Sequence, residues 1–92
     1  MGQNKTQLMK LYRVETEPVS TPGVIDAKDS NEIIFINKGT ATAEIDGFPL
    51  ANNEFLTDSG NADEINKSRY RITWTGAGTQ IVFVRRKFYI QQ

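Results

Sequence analysis

Residues 32–55 combine strand patterns with tight turns, and this stretch limits the fold more than any other part of the chain. Residues 33–36 form a continuous apolar run, which is typical of a strand covered on both faces. Residues 40–46 then alternate polar and apolar side chains, with Ala41, Ala43 and Ile45 on one face. The stretch therefore predicts two or three antiparallel strands.

Two turn signals connect these predicted strands. Asn37-Lys38-Gly39 predicts a short hairpin loop with a bulge, in which Gly39 takes a positive φ. Asp46-Gly47 predicts a two-residue hairpin turn, since both positions of such a turn need a positive φ.

The last third of the chain adds two more strands. In residues 68–75 the side chains of Tyr70, Ile72 and Trp74 point to one face, and the arginines between them point to the other. Residues 79–90 form a long final strand, but residues 81–84 are all apolar and three basic residues follow. We expect a β-bulge or an exit from the sheet near Arg85 to reconcile the two halves.

Strand patterns of this kind recur every 8 to 12 residues or so, and no segment has a sustained helical period. The prediction is an all-β fold, a small antiparallel β-sandwich or barrel of about seven short strands. We expect a polar N-terminal arm in residues 1–7 and a single β domain in residues 8–92.

The composition argues against most kinds of enzyme. The chain has no cysteine and no histidine, so it lacks thiolate chemistry, the commonest general base and the commonest transition-metal ligand. It has no phosphate loop, nucleophile elbow or dinucleotide fingerprint. We predict no catalytic residues, no metal site and no cofactor. Without an apolar run of membrane-spanning length or a signal peptide, we expect no membrane contact and a cytoplasmic location.

One polar stretch is a candidate ligand loop. Residues 58–67 are predicted to form an exposed loop, and Asp58, Asp63 and Glu64 supply oxygen atoms of the kind that calcium binds, without the spacing of an EF-hand. Phe48, beside a turn and Pro49, is the aromatic residue best placed at a loop tip. These four residues would serve a soluble module that binds carbohydrate or peptide.

Charge is balanced overall but segregated along the chain. There are 11 acidic and 11 basic residues, and every acidic residue lies between Glu15 and Glu64, whereas most basic ones lie outside that window. In one interpretation, basic terminal strands neutralise acidic central strands within one sheet, an arrangement that opposite charges on neighbouring strands favour. In the other, the molecule has a basic and an acidic face, and it either stacks on copies of itself or lies between an acidic partner and a basic one. The candidate charged interface consists of Arg69, Arg71, Arg85, Arg86 and Lys87.

The same basic residues raise the question of nucleic acid. Guanidinium groups and aromatic rings together suit single-stranded nucleic acid, for example in an oligonucleotide-binding barrel. Tyr70 and Trp74 share the face of Ile72, however, and are predicted to lie in the core, away from the arginines. Nucleic-acid binding is therefore disfavoured.

The final strand is apolar on both faces, so one face is left over for a second chain. The candidate subunit-contact residues are Val82, Val84, Phe88, Tyr89 and Ile90. The alternative is that these residues complete the core of their own domain.

Three short motifs carry a family resemblance: Ile36-Asn37-Lys38-Gly39-Thr40, Ile45-x-Gly47-Phe48-Pro49-Leu50, and Tyr70-Arg71-Ile72 after the acidic loop. The pattern, over residues 33–84, resembles small all-β structural proteins of tailed bacteriophages. That family often has glycine in the turn after the leucine, where this chain has Asn52-Asn53. The resemblance implies a non-enzymatic virion component of a capsid, collar, tail or spike. Its partners would be copies of itself, a capsid protein or a tail protein.

Overall fold

Eight β-strands and no helix make up residues 9–90, the part of the chain that the computed structural model describes. The predicted arm, residues 1–7, lies outside the described residues. The strands are β1 (Leu11–Val19), β2 (Gly23–Asp26), β3 (Glu32–Asn37), β4 (Thr42–Ile45), β5 (Phe48–Leu50), β6 (Phe55–Ser59), β7 (Arg69–Thr75) and β8 (Val82–Ile90). The all-β prediction is confirmed.

The strands form two four-stranded antiparallel sheets. Sheet A has the order β1-β8-β3-β6, and sheet B has the order β2-β7-β4-β5. The pairs are nested, since β1 pairs with β8, β2 with β7, β3 with β6 and β4 with β5. One long antiparallel ribbon folded over on itself gives this order, which is that of a jelly roll. Of the two predicted architectures, the sandwich is therefore the one observed.

The core lies between the sheets and follows the alternation within each strand. In β3, Ile33 and Phe35 are fully buried, whereas Ile34 and Ile36 point outward and are only half-buried. The prediction that this run is covered on both faces is therefore only half right. In β7, Tyr70 and Ile72 point into the core with Trp74 packed against it, as predicted.

Turn chemistry is confirmed at one predicted hairpin and corrected at the other. Asp46 and Gly47 have φ values of 51° and 83° and join β4 to β5. By contrast, β3 and β4 do not pair with each other, because the chain crosses from sheet A to sheet B between them. Gly39 has no positive φ. A Cβ there would lie 2.3 Å from the carbonyl oxygen of Thr79, so glycine is required by close approach of the backbone.

The side chain of Asn37 holds the backbone together at this crossing between the sheets. This side chain is fully buried and donates hydrogen bonds to the carbonyl oxygens of Ala41 (2.9 Å) and Leu50 (2.8 Å). Its Oδ1 accepts a hydrogen bond from the backbone N–H of Gly39 (2.9 Å). A buried amide with all these partners joins β3 of sheet A to β5 of sheet B at little cost in unsatisfied polar groups.

The last strand runs without the predicted bulge. Its pairing with β1 continues one for one from Val82 to Ile90, through Arg85, Arg86 and Lys87. Arg86 points into the sandwich and is 2% exposed. It stays there because its guanidinium donates to the carbonyl oxygen of Asp26 (2.7 and 3.0 Å) and to the carboxylate of Glu17 (2.6 Å). A buried charge that is fully hydrogen-bonded needs no break in the strand.

Candidate functional site

The outer face of sheet A carries an apolar row that crosses all four strands. The strand registers place Pro18 of β1, Phe83 of β8, Ile36 of β3 and Phe55 of β6 side by side. With strands about 4.8 Å apart, the row is roughly 14 Å wide. Phe83 and Ile36 are half-buried, and Phe55 is 66% exposed. Pro18 is also exposed, so the row is open at both edges and partly covered in the middle; it is called here the apolar row.

A more polar row lies next to it along the strands. Thr16, Arg85, Ile34 and Thr57 are neighbours on the same outer face, two residues further along their strands and so roughly 7 Å away. Arg85 is exposed and has no hydrogen-bond or ion-pair partner among the described residues. An unpaired guanidinium therefore lies directly beside a partly exposed apolar surface.

Two shallow hollows flank Arg85. One, of about 400 Å³, is lined by Val14, Thr16, Ile36, Lys38, Phe83 and Arg85. The other, of about 190 Å³, is lined by Tyr12, Val14, Glu32, Ile34, Arg85 and Lys87. Both are open to solvent, and Arg85 belongs to both. Such a surface suits apolar side chains from another molecule together with a carboxylate.

At the far end of the face, charge and aromatic rings are already paired. The Nζ atom of Lys87 lies 4.6 Å from the ring centroid of Tyr12 and 5.5 Å from that of Tyr89. It is also 3.9 Å from the carboxylate of Glu32. These contacts occupy the ammonium group of Lys87 within its own chain. Arg85 is the one cation in the apolar row and the row beside it, and it has no such partner among the described residues.

The predicted subunit-contact residues fall in two different places. Val82 and Val84 are fully buried in the core of their own chain, as the alternative had it, and offer no surface to a partner. Phe88, Tyr89 and Ile90 belong to a two-stranded extension, because β3 pairs with β8 only as far as Lys87. Within this extension Ile90 is 47% exposed, and the guanidinium of Arg13 stacks on the ring of Phe88 at 4.3 Å.

The predicted charged interface is divided among three locations. Arg69 and Arg71 are exposed on the outer face of sheet B, Arg85 and Lys87 lie on the outer face of sheet A, and Arg86 is buried between the sheets. The sequence could not show this, because adjacent residues of one strand point to opposite faces of the sheet. Several charges are neutralised locally, in the pairs Arg86–Glu17, Arg13–Glu15, Lys87–Glu32 and Lys67–Asp29.

The predicted ligand loop begins later than expected. Asp58 is part of β6, and its carboxylate accepts a hydrogen bond from the hydroxyl of Tyr70 at 2.5 Å. Burial raises the pKa of Tyr70 above its usual value of 10.0, and the hydrogen bond to Asp58 raises it further. Asp63 and Glu64 are exposed in the loop, and Phe48, which is 56% exposed, begins β5 of the other sheet.

An open cleft of about 440 Å³ lies along this loop, lined by Asn31, Asp58, Ser59, Gly60, Glu64, Ile65, Asn66 and Ser68. Its polar atoms are largely engaged with each other. Nδ2 of Asn31 donates to the carbonyl oxygen of Glu64 (2.6 Å), and the side chain of Asn66 donates to the hydroxyl of Tyr70 (2.8 Å). Within residues 9–90, no group of three or more acidic side chains is arranged to hold a metal ion.

Sequence reasoning missed the central residues of the outer face, namely Val14, Ile34, Ile36 and Phe55. Their apolar character was visible, but their exposure was not, since it depends on which strands pair and on what covers the sheet. The available signal was the continuous apolar run of β3, because in a strand such a run places apolar side chains on both faces of the sheet. It indicates that the second face also needs a cover.

The described chain, residues 9–90, contains no helix that is long and apolar enough to cross a membrane. Comparison with known proteins gives no relative from which a function could be carried over: no family model, no curated protein and no solved structure matches the chain.

Proposed function

We propose that the chain is a non-enzymatic structural subunit of a phage virion, a capsid-decorating, collar, tail or spike component that acts through protein–protein assembly. The observation that carries the proposal is the apolar row on the outer face of sheet A, which the described part of the chain covers only partly. Burying such a row against another protein is favourable, and uncovered apolar patches commonly mark protein contacts.

The fold is compatible with this role. Jelly rolls form viral capsid proteins, but lectin domains and cupins have the same architecture, so the fold alone does not decide between them. The assignment to a virion comes from the resemblance of residues 33–84 to phage structural proteins. The assignment to assembly comes from the surface.

The first test is the mass of the protein in solution. Light scattering on a size-exclusion column, at low and at moderate salt, should give a discrete oligomer. Ile36→Thr, in the middle of the apolar row, should lower that mass. Val24→Thr is the matched control, because Val24 is 48% exposed on the outer face of sheet B, away from the row. Equal masses for both variants and the unaltered protein would argue against the row as the contact.

The second test addresses the virion itself. Particles purified from the organism that encodes the chain should contain its tryptic peptides by mass spectrometry, at a stoichiometry fixed relative to the major capsid protein. Peptides found only in the particle-free lysate would contradict the virion role.

A soluble module that binds carbohydrate or peptide is the second candidate, and the exposed ring of Phe48 favours it. Aromatic rings at the surface stack on sugar rings and contact extended peptides. Binding to a glycan or peptide array that is lost in Phe48→Ala and retained in Ile36→Thr would support this candidate over the first. An oligonucleotide-binding barrel does not fit, since that fold is a five-stranded barrel and this chain has two separate four-stranded sheets.

A further inference from the structure

Two of the exposed charged side chains that lack a partner within the described chain have opposite charge and lie near apolar residues. One is Arg85, beside the apolar row. The other is Asp63, in the loop between β6 and β7, which comprises residues 60–68 and is called here the β6–β7 loop. No ion pair joins them within one molecule, so each is available to a second molecule.

Asp63 is distinguished from the other acidic residues of residues 9–90 by elimination. Nearly all of them already accept a hydrogen bond or form an ion pair, namely Glu15, Glu17, Asp26, Asp29, Glu32, Asp46, Glu54, Asp58 and Glu64. Apart from Asp63, this leaves Glu44, which lies on the outer face of sheet B between Thr73 and Pro49. Of Asp63 and Glu44, Asp63 is the one with a strongly exposed apolar residue within two positions, Ile65, which is 56% exposed, whereas the apolar residues flanking Glu44 are buried.

On each of the two surfaces an apolar residue lies two positions along the chain from the charged one. Along β8, Arg85 is two residues from Phe83 of the apolar row, which corresponds to roughly 7 Å in a strand. In the β6–β7 loop, Asp63 and Ile65 are also two positions apart, but Asp63 lies in a turn, so about 7 Å is an upper limit for the distance between their Cα atoms. A carboxylate at Arg85 would thus bring an apolar side chain to the hollow lined by Phe83 and Ile36.

The β6–β7 loop is held in place before any contact forms. Nδ2 of Asn31 donates to the carbonyl oxygen of Glu64 (2.6 Å), and the backbone N–H of Asn66 donates to the carbonyl oxygen of Ser30 (2.8 Å). The carboxylate of Glu64 accepts from the backbone N–H of Asn61 (2.8 Å). A preorganised loop loses little conformational entropy on binding, so exposed side chains such as Asp63 are presented efficiently.

Packing of two identical sheet A faces against each other fits less well. Such a contact would bring Arg85 and Lys87 of both copies into one interface. Among the outer-face residues that lie side by side with Arg85 or Lys87, the acidic one is Glu32, and it already forms an ion pair with Lys87. Like charges facing each other in an interface are costly, so an acidic surface suits this face better than a second copy of the same face.

We propose that the β6–β7 loop of one copy docks on the outer face of sheet A of the next copy, with Asp63 paired to Arg85 and Ile65 packed on the apolar row. This inference rests on the proposed function, because it names the contact through which the subunit assembles. The contact is heterologous, since two different surfaces meet, and it generates a closed ring or an extended stack.

Charge reversal tests the pairing. Arg85→Glu and Asp63→Arg are each expected to raise the dissociation constant of the oligomer about tenfold or more at low salt. The double variant, which restores opposite charges in reversed order, should assemble again. The masses of the full chain and of each variant would be measured by light scattering across a concentration series, with circular dichroism to verify folding.

Arg71→Glu is the matched control, because it makes the same change of charge on the outer face of sheet B and should leave the mass unaltered. An oligomer that persists in both single variants would overturn the loop contact while leaving assembly through the apolar row intact. Loss of assembly in both single variants without recovery in the double variant would also overturn it, as would a monomer at every concentration. In the case of a monomer, mass spectrometry of purified particles still decides the proposed virion role separately.

Discussion

At the scale of single residues, two neighbouring positions in β8 differ sharply in solvent exposure. Arg85 and Arg86 are the same residue type, yet Arg85 is exposed and Arg86 is 2% exposed. The guanidinium of Arg86 spans three elements, since it extends from β8 to Glu17 of β1 and to the backbone of Asp26 in β2. It therefore ties sheet A to sheet B at a point where an apolar side chain would have been the ordinary choice.

The two arginines provide a matched pair of substitutions. Arg86→Lys keeps the charge but loses the two-pronged donation to the carbonyl oxygen of Asp26, so we expect the free energy of unfolding to fall by about 2 kcal/mol. Arg85→Lys should change it by less than about 0.5 kcal/mol. Urea denaturation followed by circular dichroism measures both. Equal losses in the two variants would contradict the role assigned to Arg86.

Tyr70 gives the protein a dependence on alkaline pH. Its pKa in the folded state lies above 10.0, chiefly because of burial and then because of the hydrogen bond to Asp58. The native state therefore keeps the phenol proton in a pH range where the unfolded chain has lost it. The resulting stabilisation is complete below pH 10 and disappears as the pH rises through the folded-state pKa.

Tyr70→Phe tests this dependence. At pH 8 the variant should unfold with a free energy about 1 to 2 kcal/mol lower than that of the unaltered protein, because the hydrogen bond to Asp58 is gone. That difference should shrink as the pH is raised above 10. Tyr12→Phe serves as the control, since Tyr12 is 55% exposed. A difference that stays constant from pH 8 to pH 12 would show that burial of the Tyr70 hydroxyl is not what links stability to pH.

At the scale of strands and turns, the sequence was informative where structure is local. The hairpin at Asp46-Gly47 and the inward face of β7 followed from neighbouring residues alone. The approximate number of strands and their approximate positions followed from period-two patterns and turn residues. The sheet to which each strand belongs was not predictable in this way, because it depends on pairing between residues far apart in the chain.

Candidate site residues were predicted less well for the same reason. Val84 and Arg86 became core residues once β8 was placed in the middle of sheet A, whereas Ile34 and Ile36 became surface residues. The apolar run of β3 does not reveal whether a second layer covers its outer face. The expected bulge near Arg85 was wrong because a buried arginine can be satisfied by partners from β1 and β2, which the sequence does not identify.

Gly39 allows the crossing between β3 and β4 to be tested, and Gly23 provides the comparison. Gly39→Ala would place a Cβ 2.3 Å from the carbonyl oxygen of Thr79, so the backbone must move, and we expect a loss of about 1 to 3 kcal/mol. At Gly23 no atom lies within 4 Å of the place that a methyl group would take, and φ is not positive, so Gly23→Ala should be neutral or slightly stabilising. Thermal unfolding of both variants measures the contrast. If Gly39→Ala were as stable as Gly23→Ala, the close approach at Thr79 would not be a constraint.

At the scale of the whole molecule, the nested order of strands makes the fold depend on distant contacts. Leu11 and Ile90 are register partners although roughly 80 residues separate them in the sequence. Bringing the first and last strands together closes a loop that includes nearly the whole domain. Folds dominated by such pairings fold slowly, in milliseconds to seconds.

A circular permutant would shorten this loop. A short glycine-serine linker would join Ile90 to Leu11, and new ends would lie between Lys28 and Asp29, in the exposed turn after β2. Pairing of β1 with β8 then becomes a hairpin, which lowers the entropy cost of closing the loop by about 2 kcal/mol. We expect refolding from urea, measured by stopped-flow fluorescence of Trp74, to become at least several-fold faster, with the same native spectrum. An unchanged refolding rate would mean that β1 joins β8 only after the rate-limiting step. The folding nucleus would then lie in the inner pairs of the ribbon, β3 with β6 and β4 with β5.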